Sequence, residues 1–245
     1  MIYYLYDGSF SGMLTAIYDA FYADDKPDKI IKEKDYQENL FAEKVNIETD
    51  KEKSDKVYQA IADKISSKSL RKVYYTYLSE KEDRGTVIYK YLKIGFKVGR
   101  EIDKYYNNDS VLKLKKLSRK VSGEIHRMLG LLRFKKTAGD IYYASCEPDY
   151  NILSLLAPHF ARRLADQNWI IHDISRKQAA VFNQKEWVIT FFDDDNQIKI
   201  TAEEKNYQKL WKGFFDSIAI KNRKNLKLQR QLMPERYWKH LIEKD

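Results

Sequence analysis

Apolar residues fill the chain from Ile2 to Tyr6, Asp7-Gly8-Ser9 then supplies turn chemistry, and Phe10, Leu14, Ile17 and Phe21 recur at helical spacing. The pattern predicts a strand, a turn and a helix. Polar and charged residues dominate from Asp24 to Asp55, with room for short strands at 29–34 and 44–48, before Val57, Ile61 and Ile65 resume a 3.6-residue period. Residues 24–84 therefore read as an exposed, charged insertion that leads into helices.

Ile88, Leu92, Gly95, Gly99, Ile102 and Tyr106 fall on one helical stripe, with two glycines replacing large side chains on the buried face. Each costs about 1 kcal/mol relative to Ala, which a close helix approach would offset. Leu114, Leu117, Val121, Ile125, Met128 and Leu132 step by three or four and predict a core-facing helix. Beyond Thr137-Ala138-Gly139 a strand is expected at 141–146, and Pro148 opens a helix to about Asp166 that Pro158 should kink or restart. Short strands follow at 169–174, 178–182 and 186–192, the last two forming a hairpin, so the second half reads as antiparallel. Thr201 and Glu204 form a capping-box pattern before Tyr207, Trp211, Phe214 and Ile218, and Pro234 can open a last short helix.

The expected fold class is α+β, with helices packed on a small mixed or antiparallel sheet and a helix-rich middle. One globular domain is expected over 1–220, with a basic, aromatic tail over 221–245 packed on it. Hydrophobic residues at 43% and aromatics at 14%, with nine glycines and four prolines, supply enough for a sizeable core. The single cysteine, Cys146, excludes an intrachain disulfide framework and a four-cysteine zinc site. A reducing, cytoplasmic setting is expected. The N-terminus reaches Asp7 too early for a signal segment, and no apolar run approaches the roughly 18 residues of a membrane helix.

Net charge is +9, and its distribution matters more than its size. Residues 111–136 carry nine basic side chains against Glu124, and residues 205–240 carry ten against Asp216 and Glu235; each segment nets +8, leaving −7 for the remainder. Such segregation is the footprint of a polyanion partner. Lys113, Lys116, Lys120 and Arg127 share one shoulder of the predicted helix; Arg119, His126 and Arg133 take the other shoulder and outer face, with Gly123 and Gly130 between. That face suits close approach of a phosphodiester or of another helix; a merely solvated lysine face is the alternative. In the tail, Arg223, Arg230 and Arg236 alternate with amides, Tyr237 and Trp238, a mixture suited to single-stranded nucleic acid or to anchoring the tail.

The residues suited to acid–base chemistry are His126, His159 and Asp173, with Arg163 and Arg176 as phosphate ligands. His159 could equally cap carbonyls freed at Pro158, and His172 alternates with Ile170 and Ile174 as a core histidine would. Asp7-Gly8-Ser9 at a helix start can bind an anion through backbone amides or simply cap the helix. Asp193-Asp194-Asp195-Asn196 offers Mg²⁺ ligands or an ordinary loop. Walker, Gly-x-Gly-x-x-Gly, Gly-x-Ser-x-Gly, His-Glu-x-x-His and Cys-x-x-Cys motifs are absent, so no metal or cofactor is expected.

Residues 121–134 (VSGEIHRMLGLLRF) resemble a bacterial family described as probable DNA metabolism proteins. So do residues 4–10 (YLYDGSF), 147–149 (EPD), 157–163 (APHFARR), 171–176 (IHDISR) and 234–238 (PERYW). The likeness spans most of the chain and is weakest over 24–84. Family members are typically encoded beside a radical-SAM protein proposed to act in DNA modification or repair, and some are fused to a uracil-DNA-glycosylase-like domain. The resemblance thus implies an accessory protein that presents DNA to such a partner, with Asp7, His126, Arg127, Arg133, His159, Arg163, Asp173 and Arg176 as motif positions. Two other readings stay open: an enzyme acting on nucleic acid or nucleotide, and a protein-interaction subunit docking through the Gly123/Gly130 face without touching DNA.

Overall fold

The computed structural model describes residues 1–193, 198–223 and 225–244. The chain divides into two compact units, Met1–Ser122 and Gly123–Asp245, where the sequence suggested one body over 1–220. The division falls inside one long helix, α5 (Asp109–Leu131). The fold is α+β.

In the first unit, β1 (Ile2–Tyr6) is the middle strand of a three-stranded parallel sheet, between β2 (Lys29–Lys32) and β3 (Glu43–Asn46). Its alternation serves two faces: Tyr4 and Tyr6 enter the main core, while Tyr3 and Leu5 join Ile31 in a smaller cluster. Helix α1 (Phe10–Tyr22) follows, capped by Ser9, whose Oγ accepts the Gly12 amide at 2.8 Å. Helices α2 (Lys51–Ala60), α3 (Ser67–Leu78) and α4 (Arg84–Val98) complete the core, with a π turn at Ile61–Ile65 between α2 and α3.

Residues 24–84 are therefore not an exposed insertion. They supply both edge strands and the buried Val57, Ile61, Ile65 and Val73, few apolar residues but placed at core spacing. The two glycines of the 86–106 stripe differ in role. A Cβ on Gly95 would lie 2.6 Å from the Ile65 side chain, a true close approach, whereas Gly99, at φ +59°, ends α4 and leads into a 3-10 turn.

In the second unit, β4 (Lys135–Lys136), β5 (Tyr142–Cys146), β6 (Asn168–Asp173), β7 (Gln178–Asn183) and β8 (Trp187–Phe191) form one sheet in that order. All pairs are antiparallel except β5–β6. That exception arises because α6 (Leu153–Arg163) connects them as a crossover helix, and a crossover returns the chain parallel. The helix starts at Leu153 rather than Pro148 and runs through Pro158. Its Leu153, Leu156, Ala157 and Phe160 are buried, as are Trp169, Ile171, Ala180 and Phe182 of the sheet; Trp169 stacks on Phe182 at 5.1 Å.

Helix α7 (Ala202–Ile218) is capped by Thr201, but only half of the expected capping box forms. Glu204 turns away to accept the Lys136 amide at 3.1 Å and the Gln208 side chain at 2.8 Å. The segment after it holds, among the described residues, α8 (Leu226–Leu232) and three 3-10 turns, and it is built into the unit: Tyr237, Leu241 and Ile242 are buried. No helix among the described residues is long and apolar enough to cross a membrane.

Candidate nucleic-acid interface

The basic residues of α5 do not all do the same work. In the first unit, Lys113 pairs with Asp83, while Lys116, Arg119 and Lys120 stay exposed. Lys115 donates to the Asp103 carbonyl and sits 4.1 Å from the centre of the Tyr106 ring. Around it lies a groove of about 430 Å³ lined by Arg71, Lys72 and Tyr75 of α3, Tyr106, and Lys115, Ser118, Arg119 and Ser122 of α5. No acidic side chain lines it. Lys72 is held by Asp103 at 2.5 Å, but Arg71 and Arg119 make no ion pair among the described residues and are exposed. Two free guanidiniums with two phenol rings form a surface that can take phosphates and stack bases.

Sequence reasoning placed Arg119 on an outer face of the helix, found Lys115 only as part of a charge count, and missed Arg71, Lys72 and Tyr75. A usable signal was present, since Arg71 and Tyr75 stand four residues apart on one helix face.

In the second unit several of the motif segments singled out in the sequence meet in a buried ionic network. Glu124, fully buried on α5, accepts the Asp149 and Tyr150 amides at 2.9 and 3.0 Å and a short hydrogen bond from the Tyr237 hydroxyl. Arg236 bridges Asp149 at 2.6 Å and lies 3.7 Å from Glu124. Arg176 donates to buried Asp173 at 3.0 Å and to the carbonyls of Pro148 and Asp149 at 2.9 and 3.1 Å. Burial, followed by the Glu124 carboxylate beside it, pushes the Tyr237 phenol up, and burial raises the Cys146 thiol far above its ordinary value. This network is spent on fixing the segment after β5 and the chain terminus.

A family model, domain of unknown function DUF4130, matches residues 82–243, about two thirds of the chain. The chain belongs to this family. No curated protein matches it. The DUF4130 region contains α4, α5 and the whole ionic network, so Glu124, Asp149, Asp173, Arg176 and Arg236 all lie within it; Arg71, Lys72 and Tyr75 of the groove stand before it.

Within the DUF4130 region the other predicted site residues scatter. Arg133 forms a two-pronged pair with Glu243, at 2.6 and 3.3 Å, which also accepts the Trp211 indole at 3.2 Å. Burial works against the Glu243 charge, but these donors outweigh it and hold its carboxyl below the usual range. Arg127 is half-buried and folds back over Gly123, its Nη1 3.5 Å from where a Cβ would stand, and its Nε has no partner among the described residues. A Cβ on Gly130 would meet nothing within 4 Å, so these two glycines do not mark a tight helix crossing within the unit. Arg163 and Arg223 are exposed, and Arg230 is taken by Glu235 at 2.7 Å.

Among the described residues His126 is exposed on α5, the Nε2 of His159 is buried without a partner, Asp173 belongs to the network, and no hydrogen bond or ion pair joins the three. His172 is a core residue, its Nδ1 2.8 Å from the Tyr143 hydroxyl. Of the acidic run after β8, Asp193 pairs with Lys177 at 2.8 Å and 194–196 lie outside the described residues.

The Asp7-Gly8-Ser9 turn fills its own anion position. Asp7 accepts the Ser9 amide at 2.8 Å and the Thr49 hydroxyl at 2.9 Å. Burial opposes its charge, yet the Ser9 and Thr49 hydrogen bonds prevail and lower the carboxyl's pKa.

Proposed function

We propose that this protein is a nucleic-acid-binding accessory factor of DNA repair or modification, acting beside a radical-SAM enzyme or a uracil-DNA-glycosylase-like domain. The observation that carries the reading is the groove of the first unit, where Arg71, Lys72, Lys115 and Arg119 converge with Tyr75 and Tyr106 and the adjoining Asp103 is already paired with Lys72. Arg71 and Arg119 contact phosphates, and the exposed Tyr106, 64% accessible, offers a ring to an unstacked base. Lys116 and Lys120 extend the positive surface along α5.

Fluorescence anisotropy with single-stranded, duplex and uracil-containing DNA and matched RNA, across a salt series, tests it. Salt-sensitive binding that collapses in an Arg71→Glu/Arg119→Glu variant supports the reading. Absence of binding at about 50 mM salt, or indifference to both substitutions, removes it.

One observation favours a second reading, a protein-interaction subunit that meets its partner enzyme without touching nucleic acid. Helix α7 exposes Tyr207, Leu210, Phe214 and Ile218, each more than half accessible, along one stripe. Partner association that survives nuclease and high salt, in a protein that binds no oligonucleotide, selects this reading.

A further inference from the structure

We propose that the first unit binds a phosphate group at the carboxyl edge of its parallel sheet, with Arg84 as the principal ligand. Arg84 opens α4 and is only 4% exposed. Among the described residues no carboxylate stands within ion-pair distance of it. Among the described residues its Nε has no hydrogen-bond partner, and its Nη1 reaches the Lys81 carbonyl at a long 3.5 Å. A guanidinium carries five donors, and burying one with its charge uncompensated and part of that set unused favours an anion that completes it.

The surroundings supply further donors. Tyr6, 1% exposed, has its hydroxyl beside the Arg84 guanidinium: burial raises the phenol to about 12 although the charge and the hydrogen bond of Arg84 lower it. The Arg84 guanidinium lies 5.5 Å from the centre of the Tyr77 ring, and the Tyr77 hydroxyl donates to the Gly8 carbonyl at 2.9 Å. Lys32 covers Gly8 so closely that a Cβ there would stand 2.6 Å from its Cε, and Gly8 holds φ at +93°, a conformation few other residues adopt.

Tyr6 and Lys32 are register partners at the ends of β1 and β2, so this corner lies at the carboxyl edge of the sheet, where ligands of parallel α/β sheets bind. Asp7, in the turn after β1, is turned to Ser9 and Thr49. Asp35 and Glu80 reach the corner through Tyr6 and Tyr77, and neither pairs with Arg84. The Arg84 fork and the Tyr6 hydroxyl beside it offer donors for a tetrahedral dianion, and Lys32, at the same strand ends, adds positive charge to that edge, where a lone carboxylate would use the fork alone. That group is free phosphate or the terminal phosphate of a nucleotide or strand. The inference is independent of the groove on α3 and α5.

Equilibrium dialysis of the full chain against labelled inorganic phosphate at fixed ionic strength tests it. One saturable site per chain is expected, weakened about tenfold by Lys32→Gln and abolished by Arg84→Gln, with circular dichroism confirming that each variant is folded. If Arg84→Gln does not fold, Lys32→Gln alone decides. Competition by a 5′-phosphorylated trinucleotide but not by its 5′-hydroxyl form identifies a terminal phosphate; competition by neither identifies free phosphate. Either result supports the site. No saturable binding, or binding unchanged in the variants, overturns it, as does binding lost in an Arg71→Ala/Arg119→Ala variant and kept in Arg84→Gln.

Discussion

Replacing Arg71 and Arg119 together with alanine should change the salt dependence of nucleic-acid binding by an amount fixed by the groove. Its lining holds four cations, Arg71, Lys72, Lys115 and Arg119, of which Lys72 is already paired with Asp103. If each of the other three neutralises one phosphate, the slope of log K against log salt is about −2.1 for a single strand and about −2.7 for a duplex. Raising salt from about 50 to 200 mM then weakens single-strand binding roughly 20-fold. Without the two arginines the slope falls to about −0.7 and the same change of salt costs only about 2.6-fold. Lys115 remains, against Tyr106, and keeps the residual slope. Anisotropy titrations at five or so salt concentrations measure it. An unchanged slope in the double variant would refute the reasoning, because the released counterions would then come from elsewhere on the molecule. Arg230→Ala is the matched control: that side chain is exposed and already paired with Glu235, so the slope should barely move.

Further consequences concern stability. Glu124→Ala orphans two amides and the Tyr237 hydroxyl inside the second unit and should cost about 3–5 kcal/mol in urea unfolding; a loss below about 1 kcal/mol would contradict the network's role. Gly130→Ala should stabilise by about 0.5–1 kcal/mol, since a Cβ there is unopposed, whereas Gly12→Ala should destabilise because its Cβ would stand 2.2 Å from the Asp7 carboxylate; equal effects would disprove the distinction. Tyr6 and Tyr91 are both raised to about 12 by burial, so the neutral phenol belongs to the folded state. Their stabilisation is intact below pH 10 and is lost as pH climbs towards 12, about 1.4 kcal/mol per tyrosine at pH 11. A Tyr6→Phe variant with an unaltered alkaline profile would show the assignment to be wrong.

Much of this architecture was legible in the residues. The strand Ile2–Tyr6, the capped helix after it and the long α5 follow from period and turn chemistry, because each buries a continuous apolar stripe. The parallel pairing of β5 with β6 was not, since it depends on α6 packing as a crossover, a choice that strand patterns do not encode. The region 24–84 misled because its strands carry only two buried apolar residues, Ile30 and Ile31, amid lysines and acids.

The site was legible in charge but not in place. Net +8 on residues 111–136 pointed to α5, yet Arg127 and Arg133 turn inward, to Gly123 and Glu243, and the groove draws half its cations from α3. The strongest sequence motifs marked a different thing: Glu124, Asp149, Asp173, Arg176 and Arg236 are spaced to build an internal ionic network. Local sequence cannot separate a charge that faces solvent from one that finds its partner about a hundred residues away.

The most direct test of the central claim is photocrosslinking of an iodouracil-substituted single strand to the full chain, followed by mass-spectrometric mapping of the adducts. The groove predicts adducts at Tyr75 and Tyr106. Adducts confined to residues 202–232, or none at a concentration where the strand is bound, would contradict it.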